Sequence, residues 1–397
     1  MITARAWGLS PADEAQVMRA LRFRYFKWDT YGGGRCLVLP EFMILSQQAH
    51  QEVVAAVEGL HRALDRFVRR VQGDSEALAR LGIPAPLHPL IAAEQDGAPT
   101  LGRYDLFLTD DGRWMVSEFN DDVPGGFNEA AGLPALLGDP GDGLEWHAEL
   151  RERFLDAFRD YDAVALFYAT AYAEDLQHML ILERWLAEAG HRTVRASPAH
   201  LERGWRRPRV LGTPIDAAFR FYPGEWMPRL PNFATWLRLG PGIPQMNPLR
   251  HLARQSKTMF AIWRQSRLDP EDRALVERHC PITMPFDGQQ VPLLRVEREC
   301  WVLKRAFGRM GDAVVLGSLA TEREWEETIA LAQKAPADWC VQECFAVRAI
   351  PFAQGPMYPA VGAYVVNGRF AGYYSRAAAR PLITHEAYHV ATLVQAA

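Results

Sequence analysis

Residues 103–120 read Arg103-Tyr104-Asp105-Leu106-Phe107-Leu108-Thr109-Asp110-Asp111-Gly112-Arg113-Trp114-Met115-Val116-Ser117-Glu118-Phe119-Asn120. Two short strand-like runs, residues 104–108 and 114–120, flank Asp111-Gly112, a dipeptide that favours the positive-φ geometry of a type I′ hairpin turn. With those two residues as the loop, Asp105 faces Glu118 and Arg103 faces Asn120. Side chains alternate along a strand, so all four share one face. Opposed carboxylates repel, and the pair calls for a compensating cation. Asp105, Glu118 and Asn120 together make a hard oxygen set that suits Mg²⁺. The plainer alternative is a solvated hairpin face on which Arg103 pairs with one acid.

Before this hairpin, residues 45–71 form one amphipathic helix. Val53, Val57, Leu60, Leu64, Phe67, Val68 and Val71 recur every three or four positions. Pro84, Pro86 and Pro89 then interrupt the chain. After the hairpin a Pro/Gly-rich segment runs from Val123 to Asn128. From residue 163 the pattern changes. Residues 163–168 are a continuous apolar run, as in a strand buried on both faces. An amphipathic helix over 173–189 follows, stopped by Gly190, and then another strand from His191. Such a strand–helix–strand unit predicts a parallel α/β layer. In the last third, residues 301–304, 339–345 and 361–375 read as antiparallel strands, with a helix over 321–333. Asn367-Gly368 is a second type I′ hairpin signal. The expected fold class is therefore mixed, α+β with α/β.

Composition narrows the function. The chain has 397 residues, 49% of them hydrophobic and 23% charged, with a formal net charge of -4. The length suggests two or three domains. A slightly acidic balance argues against a broad nucleic-acid surface, and no long apolar run suggests a membrane span. The N-terminus lacks the apolar core of a secretory signal, so the cytoplasm is the expected location. Cys36, Cys280, Cys300, Cys340 and Cys344 form no CxxC pair and read as core or incidental thiols.

Other candidates are individually bland. Lys304 ends a strand and precedes a loop with Gly308 and Gly311, where backbone amides can approach phosphates; it reads equally as a plain turn. Lys257 and Arg376 read equally as solvated cations. Glu174-Asp175 follows the apolar strand, at the end where α/β sheets bind ligands, and also suits the first turn of a helix. No GxSxG pattern is present.

Taken together these pieces resemble the synthetase domain of the glutathionylspermidine synthase family. Lys27-Trp28-Asp29 is similar to its Lys-Trp-Asp, and Arg103-x-Asp105 to its Arg-x-Asp. Glu118-Phe119-Asn120-Asp121-Asp122-Val123-Pro124 resembles Glu-x-Asn-x-Asp-Thr-Pro, with Glu129-Ala130-Ala131 after it. Phe221 to Met227, Asn247-Pro248 with Ser256-Lys257, Lys304 with Gly308-Arg309-x-Gly311, Gly362 to Gly368, and Ile383-Thr384 follow in the family's order. Val123, Gly125-Gly126 and Arg305 depart from its pattern.

The resemblance implies a circularly permuted ATP-grasp fold with an inserted α/β, pre-ATP-grasp-like layer. It implies four parts: a helical 1–100, the metal hairpin and following segment at 101–160, the α/β part at 161–245, and a nucleotide-binding 246–397. It implies an ATP-dependent ligase that joins a carboxylate donor to an amine acceptor through an acyl phosphate, releasing ADP and phosphate. Asp105, Glu118 and Asn120 would hold two Mg²⁺ ions. Lys257, Lys304, Gly308, Gly311, Gln342 and Glu343 would meet ATP. Arg103 and Arg376 would stabilise the acyl phosphate, and Glu174 and Asp175 would sit near substrate. With Arg103 so early, no room is expected for the amidase domain that some members carry. A non-catalytic nucleotide- or peptide-binding protein and a phosphotransferase are the competing readings.

Overall fold

The structure is a computed structural model that describes residues 1–308 and 314–396. The amphipathic stretch forms a helix over Gln47–Val71, two residues later than the periodicity suggests, because the Ser46 side chain accepts the Ala49 N–H and caps it. Its apolar stripe is buried as expected. Each such side chain contributes on the order of 1.5–3 kcal/mol relative to exposure.

This helix covers the largest sheet, which has nine strands among the described residues. Its main path runs Ile2–Ala6, Val38–Leu45, Tyr388–Gln395, Arg369–Ala378, Gly355–Val366, Leu101–Leu108 and Trp114–Asn120. Neighbours along the path are antiparallel, except that Tyr388–Gln395 lies parallel to Val38–Leu45. The N-terminal hundred residues therefore supply the first two strands of this path as well as helices. Residues 246–397 likewise divide between this sheet and a smaller one, because the chain returns to close the central sheet beside its own N-terminal part.

The α/β layer forms as its sequence predicts. Ala163–Tyr168 pairs in parallel with Arg192–Ala196 and Ala217–Phe221, with the helix Ala173–Glu188 between the first two strands. A small antiparallel sheet is ordered Thr283–Pro285, Trp339–Glu343, Trp301–Arg305, Val314–Leu316. The helix Glu322–Lys334 packs on it, started by a capping box between Thr321 and Glu324. Trp325 fills its core and donates its indole N–H to the Leu294 carbonyl.

Buried polar groups tie these layers together. Arg220, from the α/β sheet, is fully buried and pairs with Asp122, just past the first hairpin, while donating to the Asn247 and Tyr222 carbonyls. Asn247 in turn exchanges two hydrogen bonds with the backbone of Leu101. Arg254 joins Asp121 at 3.0 Å. Motif pieces remote in sequence thus meet at one joint.

All five cysteines are free thiols. Among the described residues, no helix is long and apolar enough to cross a membrane.

Candidate functional site

The first hairpin reaches the expected pairing by another route. Its loop has three residues, not two: the Gly112 N–H donates to the Thr109 carbonyl, the Thr109 N–H to the Arg113 carbonyl, and Gly112 takes φ +86°. Near the turn the register is therefore shifted by one, with Leu108 facing Trp114 and Leu106 facing Val116. A bulge at Ser117 adds one residue to the second strand and cancels the shift. Asp105 still faces Glu118, and Arg103 still faces Asn120. The bulge also turns the Ser117 carbonyl to the Lys304 ammonium, which donates to it at 3.0 Å.

The hairpin opens on a cleft of about 680 Å³ bounded by all three layers. In it Arg103 grips Asp105 with two bonds, Nε to Oδ1 at 2.7 Å and Nη2 to Oδ2 at 2.9 Å. Arg376 adds a third at 3.0 Å, and both guanidinium groups lie over the Tyr374 ring. Gly362 lies opposite Asp105 in the next strand, where a Cβ would strike the Tyr374 carbonyl. Lys257 Nζ stands 3.6 Å from Glu118. The cations required between Asp105 and Glu118 are thus arginines and a lysine. Burial disfavours the charged form of Glu118, but Lys257, Arg376 and Arg103 outweigh it and hold the carboxyl down to about 2.

Asn120 donates Nδ2 to both carboxylates, at 3.2 Å each, which leaves its Oδ1 as an acceptor. Two ionised carboxylates and an amide oxygen are hard donors, so this set fits a Mg²⁺ ion. Among the described residues no group of three or more His, Cys, Asp or Glu could hold a metal; the third donor here is the amide.

On the side of the small sheet, Lys304, Gly308 and Gln342 line the cleft. Lys304 is buried, and desolvation pushes its ammonium down to about 8, with Lys257 adding like-charge repulsion against the pull of Cys340 and Glu118. Lys257 also donates to the Gly308 carbonyl at 3.4 Å. Gln342 donates to Thr283 Oγ1. Strand alternation turns the Glu343 side chain to solvent, outside the lining. Gly311 lies outside the described residues.

The opposite end is acidic and richer than its sequence suggests. Glu174 and Asp175 line it, both in the first turn of their helix. Lys27 is buried there and bridges Glu129 at 2.7 Å and Asp29 at 2.9 Å. Burial raises the Glu129 carboxyl, but Lys27, His389 and His178 prevail and hold it at about 2. His389 Nδ1 lies 3.3 Å from Glu129. Lys27 and Glu129 are visible in the sequence as motif letters without a stated role. His178 carries no sequence signal beyond its position one turn after Glu174, and His389 closes His385-Glu386-Ala387-Tyr388-His389, whose HExxH spacing needs a helix where this chain has a turn and a strand.

Residues 14–395, nearly the whole chain, match the family described as glutathionylspermidine synthase preATP-grasp. The chain belongs to this family. No curated protein matches the sequence. Among solved structures, the chain is similar to a glutathione synthetase-like effector (GSS30) from Globodera pallida in its apo form. The TM-score is 0.60 at 11% identity, covering 98% of this chain and 99% of that one. That likeness places this member of the glutathionylspermidine synthase preATP-grasp family in an ATP-grasp-like, glutathione synthetase-type fold. A protein described as a gamma-glutamylcysteine synthetase from Methylobacillus flagellatus KT matches at TM-score 0.47 and 14% identity, over 84% of this chain and 88% of that one.

Proposed function

We propose that the protein is an ATP-dependent carboxylate–amine ligase, joining a peptide or amino-acid carboxylate to an amine and releasing ADP and phosphate. The observation that carries this reading is the Arg103–Asp105–Arg376 cluster. It stands in one cleft with Glu118, Asn120, Lys257 and Lys304 on one side and an acidic end at Glu129 and Asp175 on the other. A carboxylate is a poor electrophile. Phosphorylation by ATP turns it into an acyl phosphate, and both that step and its displacement by an amine develop charge on oxygens. Arg103 and Arg376 are positioned to balance that charge. Lys257 and Lys304 bind the nucleotide phosphates, with Gly308 in the loop beside them, and Gln342 lies in the wall of the nucleotide end. Asp105, Glu118 and Asn120 hold Mg²⁺, which supplies Lewis-acid neutralisation of the phosphate charge when bound. The acidic end, with Glu174 and Asp175, receives a cationic acceptor.

The test is direct. Protein is mixed with Mg-ATP, glutathione and spermidine, the pair that the family's name suggests, and then with other acids and amines; ADP, phosphate and amide are measured. ADP released in step with amide supports the proposal. AMP with pyrophosphate, or nucleotide binding without turnover across the panel, overturns it, as does full activity in an Asp105→Ala/Glu118→Ala variant. A stable phosphorylated product without amide would indicate a phosphotransferase instead.

A further inference from the structure

We infer that Nε2 of His178 is the proton acceptor for the attacking amine in the amide-forming step. This rests on the ligase reading above and assigns a role within it. His178 lies on the helix Ala173–Glu188 and lines the cleft. Its Nδ1 is 2.6 Å from Asn128 Oδ1. The orientation of Asn128 is set by its other bonds. Nδ2 donates to the Tyr25 carbonyl at 2.6 Å and to the Gln177 carbonyl at 2.9 Å, so Oδ1 faces the histidine and can only accept. Nδ1 of His178 must therefore carry the hydrogen. In a neutral ring, that leaves Nε2 with a bare lone pair. No described residue donates a hydrogen bond to it.

The surroundings keep the ring neutral and aimed. Desolvation lowers His178 to about 4; Glu129 and Asp29 pull the other way, while Lys27 and Arg103 add to the lowering. Phe127 and Phe221 hold the ring edge-on, with centroids 5.5 and 5.1 Å away. Gly125 lies against the ring at Nε2, where a Cβ would sit only 3.0 Å from it. The Gly125 carbonyl accepts from Arg103 Nη1 and from the Tyr364 hydroxyl, both at 2.6 Å. The Gly125-Gly126 departure from the family pattern thus makes room for His178 beside the backbone that Arg103 clamps. Glu129 is a poorer candidate, since Lys27 and His389 already engage its carboxylate.

The chemistry balances. The lone pair of a neutral amine attacks the acyl-phosphate carbonyl carbon, a C–N bond forms, and the C–O bond to phosphorus breaks with its electron pair leaving on phosphate. The nitrogen turns cationic as it adds, which makes its N–H far more acidic than that of a free ammonium. A weakly basic imidazole suffices to take that proton, which then passes to the departing phosphate. The products are an amide and hydrogen phosphate.

His178→Asn keeps a donor near the Nδ1 position for Asn128 and removes the Nε2 acceptor. His178→Gln places a polar atom near the Nε2 position but cannot take up a proton. Both are assayed with Mg-ATP and glutathione, using either spermidine or hydroxylamine as nucleophile. Hydroxylamine is largely unprotonated at neutral pH and reacts with acyl phosphates without a base. The expected result is amide formation lowered at least about 100-fold in both variants, with hydroxamate formation within about threefold of the unaltered protein. Equal loss with both nucleophiles would make His178 a structural pin and overturn the inference. So would amide formation in His178→Asn within about threefold of normal, or recovery in His178→Gln. If the unaltered protein forms neither amide nor hydroxamate, the ligase reading for this donor fails first and takes the inference with it.

Discussion

The strands Ala163–Tyr168 and Leu101–Leu108 are both buried along their whole length, yet the first carries no charge and the second carries Arg103 and Asp105. An unpaired charge in such a place would cost several kcal/mol, so burial alone predicts an apolar strand. The difference lies in what each strand faces. Ala163–Tyr168 packs between two parallel neighbours and the cores on both sides. Leu101–Leu108 presents alternate residues to the cleft, where Arg103 and Arg376 pair with Asp105. One strand spends its burial on packing; the other holds a prearranged charge cluster that packing alone would not require.

This contrast can be broken at several points. Replacing the pair outright, Arg103→Leu/Asp105→Leu, is expected to abolish ligase turnover by more than about 10³-fold while costing less stability than Asp105→Leu alone, because only the partly exposed Arg376 is then left without its carboxylate. Denaturant melts beside ADP release check this; retained turnover would show that the cluster is structural. Asp105→Leu alone should destabilise by about 3–5 kcal/mol, since it strands both arginines, and Arg103→Leu by less, since Arg376 still pairs with Asp105. In the scaffold strand the balance reverses. Phe167→Ala should lose about 3–5 kcal/mol of stability and leave turnover per folded molecule nearly unchanged.

A milder test uses pH. Burial pushes the Lys304 ammonium down to about 8, from the ordinary 10.5. Phosphate binding favours the charged form, so nucleotide affinity should be full below pH 8 and weaken up to about tenfold per unit above it. Stability should move the other way. The penalty for a buried ammonium is present below pH 8 and is relieved as pH rises toward the unfolded value of 10.5. Fluorescence titration with an ATP analogue and urea melts from pH 7 to 10 measure both. The smallest effect is expected at Glu343, whose side chain faces solvent. Glu343→Ala should change the KM for ATP by less than about twofold, whereas Gln342→Ala should raise it clearly.

The hairpin shows how far sequence reading reaches. The pairing of Asp105 with Glu118 was legible, but the route was not. A three-residue loop and the Ser117 bulge offset one another, and the bulge is anchored by Lys304, which is 187 positions away. Asn367-Gly368 is the contrasting case. There the dipeptide does form a two-residue loop, with φ +47° and +79°, because the turn geometry is local to those residues. Glu343 follows Gln342 in the same strand, and alternation points it outward, which the motif letters do not encode.

By itself, the sequence determined what local physics controls: the amphipathic helix, the apolar strand with its parallel partners, the two hairpins, and the collinear motifs that mark the family. Tertiary structure alone decided which charges neutralise which. Arg376 reaches Asp105 across 271 positions, Lys27 reaches buried Glu129, and Asn128 fixes the tautomer of His178 from 50 positions away. Those choices depend on desolvation and hydrogen-bond geometry between remote segments, and no local pattern encodes either one.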